Sequence, residues 1–443
     1  MINHIKITNK IKPYKKKINV SSDKSISIRC ILLASQAIGQ SRIYNLLESD
    51  DVINTLNTIR KLGIKYKKLK NYYTINGYGI DGYETKKRIS INAGNSGTLA
   101  RLILGLLANS KNNVTLNGDK SLSKRDFRRI INPLREFGVV IFSKKGGLPV
   151  TISGSKFLRP INYTEELGSA QCKSSVMLAA IKTPGITKIK AKKSRDHTEN
   201  IFKYLGIPIV VKKNKYNDEI KVKGQKLFKS FKYKVPSDPS SCAFFIVLTL
   251  LSKNCELKIK NVNVNQSRIG YIKVLNKMGA KIKIKKIRTK YGEKQADIYV
   301  KSQSTLKKIN CPPSLNSNLI DEFLIIFLAA AKANGVSRFS DLDELNKKES
   351  PRLKLGSQIL NQLGIKTKLT KNSIKIFGNP KIDLNKTISI KNYYKDHRIF
   401  MTSVIAALTF GGKWKINDID SYKSSFPSFL KILKKLGYEF KFV

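Results

Sequence analysis

Residues 59–66 read IRKLGIKY, in which the apolar end of a helical pattern is followed by a glycine and then by an alternating apolar segment. A glycine directly after a helical pattern supplies the left-handed conformation that ends a helix, and the alternation after it indicates a strand. The phrase recurs along the whole chain. Its six copies are IRKLGIKY, LREFGVVI, FKYLGIPI, LNKMGAKI, LNQLGIKT and LKKLGYEF, with the glycine at 63, 138, 206, 279, 364 and 437. The sequence therefore predicts six copies of one unit, each roughly 70 residues long.

A second phrase lies upstream of the first in each unit: an apolar helix, a Gly/Asn turn and a short strand. Its copies begin near Ser27, Thr98, Ser174, Ser241, Glu322 and His397. Because these helices are apolar almost all round, we expect them to be buried core helices, with the more amphipathic Gly-ended helices outside. Two domains of three units are the natural grouping, with a boundary near Val235-Pro236-Ser237.

The charge balance is strongly basic, since 85 Lys and Arg face 30 Asp and Glu, for a net charge of +55 over 443 residues. Such a charge favours nucleic-acid binding, because cations release counterions from phosphates. The lysines, however, are spread over nearly every segment together with Asn and Ile, without a basic tail, zinc-finger spacing or aromatic RNA-binding motif. Since these residues share AT-rich codons, we expect compositional drift, a solvated excess charge, and only weak non-specific nucleic-acid binding at low salt.

Membrane and disulfide-rich classes are not indicated. No apolar run approaches the ~20 residues that span a bilayer, and the N-terminal segment lacks the apolar stretch of a secretory signal. The five cysteines, at 30, 172, 242, 255 and 311, are odd in number and lack C-x-x-C spacing or a nearby His. This pattern fits neither a disulfide framework nor a zinc site, and predicts buried, reduced thiols in a cytoplasmic protein.

The segments that precede the core helices are rich in Ser, Asp, Asn and cations. They are SSDKSISIR, NAGNSGTLAR, LGSAQCKS, VPSDPSS, NLIDEF and YKDHR. Helix N-termini attract anions, but Ser, Asp and Asn are also ordinary N-caps, so either role fits any single copy. Capping does not require the nearby cations Lys24, Arg29, Arg101, Arg195 and Arg398. With Arg125 and the Lys348, Glu349 and Arg352 group, the pattern predicts a cleft that takes two anionic substrates, with one base, one proton donor and no metal.

On these residues the chain resembles the 3-phosphoshikimate 1-carboxyvinyltransferase (EPSP synthase) family. Nine family phrases occur in the family's order, over essentially the whole chain. They are D-K-S-x-S-x-R from Asp23, G-N-x-G-T from Gly94, G-D-x-S-L-x-K-R from Gly118, S-A-Q-x-K-S from Ser169, R-D-H-T-E from Arg195, I-D-E from Ile320, K-E-S-x-R from Lys348, D-H-R from Asp396 and S-F-P from Ser425.

The resemblance implies an inside-out α/β barrel fold with two domains, each of three βαβαββ units. One domain would span residues 22–236 and hold shikimate 3-phosphate, and the other would combine residues 1–21 with 237–443. The hinge would lie near residues 21 and 236. Because the implied site residues come from both domains, closure on substrate binding is expected. The family also implies a monomer.

The implied reaction transfers the enolpyruvyl group of phosphoenolpyruvate to the 5-hydroxyl of shikimate 3-phosphate and releases phosphate. Asp321 would be the base, and Lys24 and Glu349 are both candidates for the proton donor. The shikimate 3-phosphate site would comprise Lys24, Ser25, Arg29, Ser169, Gln171, Arg195, Asp321 and Lys348. The phosphoenolpyruvate site would comprise Lys24, Asn95, Gly97, Arg125, Gln171, Arg352 and Arg398. No metal or cofactor is implied.

Several residues depart from the family pattern. Pro351 stands where many members have Asp, Phe400 where a small residue is usual, and Ser424 where some members have Lys. These positions flank the implied site, so we expect them to affect turnover rather than the kind of reaction. Gly97 leaves room for glyphosate in the phosphoenolpyruvate site, which predicts a glyphosate-sensitive enzyme.

Two alternatives remain beside this reading. The enolpyruvyl transferase that acts on UDP-N-acetylglucosamine shares the fold but uses a Cys on a Gly-rich loop, and none of the five cysteines here lies on one. The chain could also be a basic nucleic-acid-binding protein on the same fold, or a decayed enzyme. Decay would not spare every charged site residue, yet Lys24, Arg125, Asp321, Glu349 and Arg398 are all present.

Overall fold

Six four-stranded sheets are present in the computed structural model, which describes residues 4–84 and 88–442. All six repeat one pattern, which the sheet beginning at Arg88–Asn92 illustrates. Its first strand is parallel to Asn113–Asn117, and that strand is antiparallel to Val150–Ser153, which pairs antiparallel with Val140–Ser143. A core helix connects the parallel pair and an outer helix leads into the antiparallel pair, so the unit is βαβαββ.

The backbone contacts divide the chain into two units. The first unit is Ser22–Val235 with Thr289–Glu293; the second comprises the segment that ends at Ser21, Pro236–Arg288, and the segment from Lys294 onward. The hairpin tip Thr289–Glu293, which the sequence placed with residues 237–443, thus belongs to the first unit by its contacts.

Three sheets belong to each unit, and their strands are given in sheet order. In the first unit they are Lys232–Lys234, Ile38–Tyr44, Tyr72–Tyr78 and Tyr66–Lys68; Arg88–Asn92, Asn113–Asn117, Val150–Ser153 and Val140–Ser143; and Asn162–Glu165, Ile186–Lys192, Asn217–Lys223 and Ile209–Lys213. In the second they are Lys283–Lys290, Glu293–Lys301, Glu256–Asn263 and Lys15–Ile18; Leu306–Lys307, Ala333–Phe339, Ile374–Gly378 and Thr367–Leu369; and Leu384–Ile390, Gly411–Asn417, His4–Ile7 and Lys441–Phe442.

The helices alternate between core and outer positions. Those of the first unit are Lys24–Ala34, Asp50–Lys61, Gly97–Leu106, Lys120–Ser123, Arg128–Glu136, Ala170–Ala180 and His197–Tyr204. Those of the second are Pro239–Leu251, Gly270–Lys277, Asn316–Leu319, Phe323–Ala331, Arg352–Gln362, His397–Phe410 and Phe429–Lys435, with 3₁₀ turns at Pro313–Leu315, Asp343–Lys347 and Ile419–Ser424.

The predicted division into core and outer helices is confirmed. Every residue of Pro239–Leu251 and of His397–Phe410 is buried, whereas Asp50–Lys61 buries one face only. The six helix-ending glycines all have positive φ, between 68° at Gly206 and 99° at Gly437, and each precedes a strand. Because an L side chain is strained in that conformation, the glycine sets the point at which each outer helix stops.

The N-terminal strands complete sheets of the second unit. His4–Ile7 pairs antiparallel with Gly411–Asn417, and Lys15–Ile18 lies parallel to Glu256–Asn263. In the first unit, Lys232–Lys234 forms the edge strand that lies parallel to Ile38–Tyr44.

Among the described residues no single helix has the length and apolar composition to cross a membrane. The bent helix pair Pro313–Leu319 and Phe323–Ala331 meets those criteria only when its two parts are taken together.

Candidate functional site

The segments before the core helices do act as helix caps. Asp23 Oδ1 accepts the Ile26 amide at 3.0 Å, and Ser169 Oγ accepts the Cys172 amide at 3.3 Å. Ser96, Asp238 and Asp396 cap their helices in the same way. Capping therefore explains these side chains in part.

In the first unit, Lys24 lies at the start of helix Lys24–Ala34 and is held by a carboxylate. Its Nζ is 2.8 Å from Asp51 Oδ2, and both side chains are largely buried. Asp51 comes from the outer helix Asp50–Lys61, whose phrase carries no family motif, so the sequence did not identify it. This ion pair aims the ammonium group and restricts its rotamers.

Arg29 forms hydrogen bonds with residues of two other family phrases in the first unit. Its Nε donates to Thr198 Oγ1 at 2.8 Å, and its Nη2 donates to Ser174 Oγ at 3.0 Å. It also donates to the backbone oxygen of Ser25, and its side chain is buried. The structure thus places the Arg29 guanidinium beside Ser25, four positions earlier in the same helix, and adds Ser174 and Thr198 as partners that fix it.

Asn95, Gly97 and Arg125 come together at the start of helix Gly97–Leu106. Arg125 Nη2 donates to Asn95 Oδ1 at 3.0 Å, and Asn95 Nδ2 donates to Asp119 Oδ2 at 2.5 Å. A Cβ on Gly97 would lie 2.9 Å from Arg125 Nη1. The absence of a side chain at Gly97 therefore lets the guanidinium approach the helix N-terminus.

Gln171 is held by a residue outside the predicted site. Arg101 Nη1 donates to Gln171 Oε1 at 2.9 Å, and Gln171 Nε2 donates to Thr98 Oγ1 at 2.9 Å. Arg101 was visible in the sequence as a cation beside a cap, and its role in the structure is to orient Gln171.

Arg195 is half-buried and immediately precedes Asp196, the N-cap residue of helix His197–Tyr204. That helix contributes the buried Lys173–Glu199 ion pair, at 2.5 Å, which joins two of the motif phrases.

In the second unit, the Asp321 carboxylate lies among three cations. Arg352 Nη1 is 3.4 Å from Oδ1, Lys348 Nζ is 3.8 Å from Oδ1, and Arg398 Nη2 is 3.8 Å from Oδ2. Arg398 Nη1 also donates to the Asp321 backbone oxygen at 2.7 Å. The sequence predicted all four residues, and the fold gathers them into one cluster.

Arg352 is the most buried member of this cluster, with 1% of its surface exposed. Its Nε and Nη2 bond Asp396 at 2.9 and 3.2 Å, and Nη2 also bonds Glu349. Burial alone would lower the pKa of Arg352, but Asp396, Glu349 and Asp321 raise it above its ordinary value. Asp396 was quoted in a motif without a predicted role, and the structure makes it the principal anchor of Arg352.

The pKa of Asp396 is set by the same contact. Burial opposes ionisation of this carboxyl group, yet Arg352 holds its pKa below the usual value. Ser350 Oγ donates a further bond to Asp396 at 2.7 Å. Arg352 and Asp396 therefore form a charged framework beneath Asp321.

The residues that depart from the family pattern have structural roles. Pro351 is the N-cap residue of helix Arg352–Gln362, and Phe400 is fully buried and stacks on Tyr422 at 5.7 Å. Ser424 donates to the Ser421 backbone oxygen, and Lys423 pairs with Asp420 on the surface.

The described residues contain no group of three or more His, Cys, Asp and Glu that could hold a metal ion. All five cysteines are buried and free. Burial raises the pKa of the Cys172 and Cys255 thiols, which makes them poor nucleophiles.

Comparisons with known proteins identify the family to which the chain belongs. The family model for EPSP synthase (3-phosphoshikimate 1-carboxyvinyltransferase) matches residues 8–433. A 3-phosphoshikimate 1-carboxyvinyltransferase from Ruthia magnifica subsp. Calyptogena magnifica is 39% identical over 427 residues, which are 96% of each chain. An EPSP synthase structure from Acinetobacter baumannii has a TM-score of 0.87 and 33% identity, and covers 99% of both chains.

The enolpyruvyl transferase NikO from Streptomyces tendae has a TM-score of 0.76 at 14% identity, over 99% of this chain and 98% of NikO, and so supports the fold alone. The predicted two-domain enolpyruvyl transferase fold is confirmed. The chain therefore belongs to the EPSP synthase family, and it is a transferase that moves the enolpyruvyl group of phosphoenolpyruvate to the 5-hydroxyl of shikimate 3-phosphate in the shikimate pathway.

Proposed function

We propose that Asp321 is the general base of this transfer. The observation that carries this assignment is the group of three cations, Lys348, Arg352 and Arg398, within 4 Å of its carboxylate. Cations at this distance would hold an anionic substrate next to the base, and preorganised charges of this kind are a large source of rate enhancement.

The proposed sequence of steps is an addition followed by an elimination. Asp321 takes the proton of the 5-hydroxyl while the oxygen attacks C2 of phosphoenolpyruvate, and an acid protonates the C3 methylene. The tetrahedral intermediate then loses phosphate and one proton from the new methyl group, which restores the C2–C3 double bond and forms the enol ether product. Each positioned proton transfer contributes ~10²–10⁴ in rate.

For the proton donor, the contacts favour Lys24 over Glu349. Lys24 carries an ammonium group that Asp51 aims, at 2.8 Å, and an ammonium holds a transferable proton. Glu349 instead accepts a bond from Arg352, so its carboxylate acts as an acceptor. Lys24 is therefore the proposed acid, and Glu349 orients Arg352.

The remaining residues are proposed to bind the two anionic substrates. Asn95, Gly97, Arg125, Arg352 and Arg398 would hold phosphoenolpyruvate, and Gln171 and Lys24 would contact both substrates. Shikimate 3-phosphate would be bound by Ser25, Arg29, Ser169, Arg195 and Lys348 together with Asp321. Support for these roles comes from the family phrases and from the hydrogen bonds that orient Arg29, Arg125 and Gln171.

We also propose that the protein acts as a cytoplasmic monomer without a specific nucleic-acid or membrane partner. The five buried free thiols are consistent with a reducing compartment. Sedimentation velocity in 150 mM salt, with and without both substrates, tests the monomer assignment.

The experiment that tests the catalytic assignment is phosphate release by the purified protein, given shikimate 3-phosphate and phosphoenolpyruvate separately and together. Asp321→Asn keeps the shape of the side chain and removes the base. We expect release only with both substrates, and a loss in kcat of at least ~10² in the variant, because an amide cannot accept the hydroxyl proton. A melting temperature and a near-ultraviolet circular dichroism spectrum like those of the wild type would show that the variant is folded.

Two results would contradict the proposal. Release without shikimate 3-phosphate would indicate simple hydrolysis of phosphoenolpyruvate. A kcat of Asp321→Asn within threefold of the wild type would mean that another residue is the base.

A further inference from the structure

A line of buried polar side chains connects the N-terminal ends of the three core helices in the second unit. Arg268 Nη2 donates to Ser240 Oγ at 3.0 Å and to Asp238 Oδ1 at 3.1 Å. Ser240 Oγ donates to Glu322 Oε1 at 2.5 Å. Glu322 Oε1 in turn lies 3.9 Å from Arg398 Nη1. The line thus ends at a residue of the cluster around Asp321.

Burial of these charged and polar side chains lowers the stability of the folded protein unless each of them has a hydrogen-bonding or ionic partner. Arg268 is 2% exposed and Glu322 is 1% exposed. Removing charged groups from water is unfavourable, and an apolar set of similar volume would often be as stable. Stability alone is therefore a weak explanation for these residues, and a role in orienting a neighbour explains them better.

Glu322 also differs from the equivalent residues of the neighbouring helices. Asp238 and Asp396 turn back to cap their own helices, at 2.8 and 2.9 Å. Glu322 occupies the N-cap position of helix Phe323–Ala331 but makes no capping bond with its side chain. Its carboxylate contacts Ser240 and approaches Arg398 instead.

We propose that Glu322, held by Arg268 through Ser240, is a positioning residue that fixes the guanidinium of Arg398 for phosphoenolpyruvate. This inference rests on the proposed function, in which Arg398 binds that substrate. Arg398 bonds the Asp321 backbone oxygen through the same Nη1 that faces Glu322. The hydrogen bond to that backbone oxygen at 2.7 Å and the attraction of the Glu322 carboxylate at 3.9 Å act on the same nitrogen and together orient the guanidinium. Its plane decides whether it can bind a carboxylate through two parallel bonds.

A positioning role predicts a specific kinetic change. Loss of the Glu322 charge frees Arg398 to rotate and weakens phosphoenolpyruvate binding in the ground state and the transition state alike. The KM for phosphoenolpyruvate then rises while kcat and the KM for shikimate 3-phosphate stay near their wild-type values. A purely structural role would instead lower the melting temperature and leave the KM of the folded fraction unchanged.

The test compares Glu322→Gln, Glu322→Ala and Ser240→Ala. Glu322→Gln keeps an acceptor for Ser240 and removes the charge, so we expect a rise of about threefold in the KM for phosphoenolpyruvate, and about tenfold for Glu322→Ala. Ser240→Ala does not remove a contact of Arg398, yet it should raise the same KM about threefold. The double variant Ser240→Ala/Glu322→Ala should resemble Glu322→Ala alone, because both changes break one line of contacts.

Asp297→Asn is the matched control, since Asp297 is a largely buried carboxylate of the same unit that pairs with Lys258 at 3.0 Å. It should leave both KM values unchanged. Calorimetric titration of phosphoenolpyruvate into the protein with shikimate 3-phosphate provides a binding measurement that does not depend on turnover. Glu322→Gln and Ser240→Ala keep the test decisive if Glu322→Ala does not fold.

The outcomes separate this inference from the proposed function. A wild-type protein that releases no phosphate overturns the proposed function and this inference with it. An active wild type whose folded Glu322→Gln and Ser240→Ala variants keep the KM for phosphoenolpyruvate within about 1.5-fold of the wild-type value overturns the inference alone. Additive effects in the double variant also overturn it, because they would show that Ser240 does not act through Glu322.

Discussion

Lys182 is a buried cation of the first unit that the proposed chemistry does not use. It is 1% exposed, donates to the Ile80 backbone oxygen, and lies 5.4 Å from the centre of the Tyr83 ring. Burial lowers the pKa of Lys182 to about 7, and the negative charge of Asp81 opposes this change only in part. The charged form is therefore disfavoured in the folded protein.

The sign of the resulting pH dependence follows from proton binding. In the unfolded chain a Lys titrates near ~10.4, so between pH 7 and 10 the unfolded state holds more protons at this site than the folded state. The contribution of Lys182 to the free energy of unfolding therefore rises with pH across this window and is constant below it. Lys182→Met removes this dependence.

We predict that Lys182→Met is most stabilising, or least destabilising, at pH 6, and becomes steadily less favourable toward pH 9.5. The methionine leaves the Ile80 oxygen without its donor, but that loss does not change with pH. The difference in urea unfolding between variant and wild type at four pH values checks the prediction, and Lys188→Met, at an exposed strand position, is the control. A difference that does not vary with pH would contradict it.

The site residues that the sequence missed are mainly the partners of the predicted ones. Asp51 lies on an outer helix with ordinary amphipathic patterning, so nothing local indicates that it pairs with Lys24. The link of Arg268 and Ser240 to Arg398 was likewise hidden, since it depends on the contact of Ser240 with Glu322, which lies 82 positions away in the sequence. Motifs identify groups that face substrate, whereas the groups that hold them are determined by tertiary packing.

At the scale of elements, the core helices of one unit pack closely enough to require glycine. A Cβ on Gly105, in helix Gly97–Leu106, would lie 2.2 Å from the backbone oxygen of Ser175 in helix Ala170–Ala180. A Cβ on Gly356, in helix Arg352–Gln362, would meet side-chain atoms of Leu324 and Phe327 at 2.9 and 3.2 Å. Backbone cannot move aside without shifting the whole helix, whereas a side chain can change its rotamer.

We therefore predict different losses of stability for two chemically identical changes. Both gain about 1 kcal/mol of helix propensity. Gly105→Ala should lose roughly 2–4 kcal/mol net, because overpacking forces the helices apart. Gly356→Ala should stay within about 1 kcal/mol of the wild type. Chemical denaturation of both variants gives the comparison, and equal losses would show that the close approach at Ser175 is not what constrains Gly105.

The repeat explains why so much of the fold could be predicted. Six helix-glycine-strand phrases fixed the number of units, and the apolar helices identified the core. The short N-terminal strands could not be predicted from their pattern: Lys15–Ile18 reads KKKI and buries only Ile18. Its place beside Glu256–Asn263 depends on pairing across more than 200 residues, for which the family resemblance was the only guide.

At the scale of the whole molecule, part of the charge of +55 is carried by lysines on exposed faces of the sheets. In strand Ile186–Lys192 the exposed and buried residues alternate, which places Lys188 on the solvent face. Lys221 lies directly opposite it on strand Asn217–Lys223. Like charges in such a pair repel one another, and a net charge far from zero destabilises the compact state.

Salt should consequently stabilise this protein. Between 10 and 150 mM salt the Debye length falls from ~30 to ~8 Å, which screens repulsion among the surplus cations. Because 30 acidic residues can neutralise only part of 85 basic ones, relief of repulsion outweighs the weakening of surface ion pairs. We predict a melting temperature that rises with NaCl over this range, measured by calorimetry.

The variant Lys188→Glu tests the effect of charge repulsion at a single cross-strand pair, Lys188 and Lys221. It places opposite charges across the strands at Lys221, and we expect a gain of about 0.5 kcal/mol at 10 mM salt that disappears by 500 mM. Lys188→Gln removes the repulsion without adding attraction and should gain about half as much. A melting temperature that falls with NaCl, or a gain in Lys188→Glu that salt does not change, would mean that local strand packing rather than net charge determines the stability of this surface.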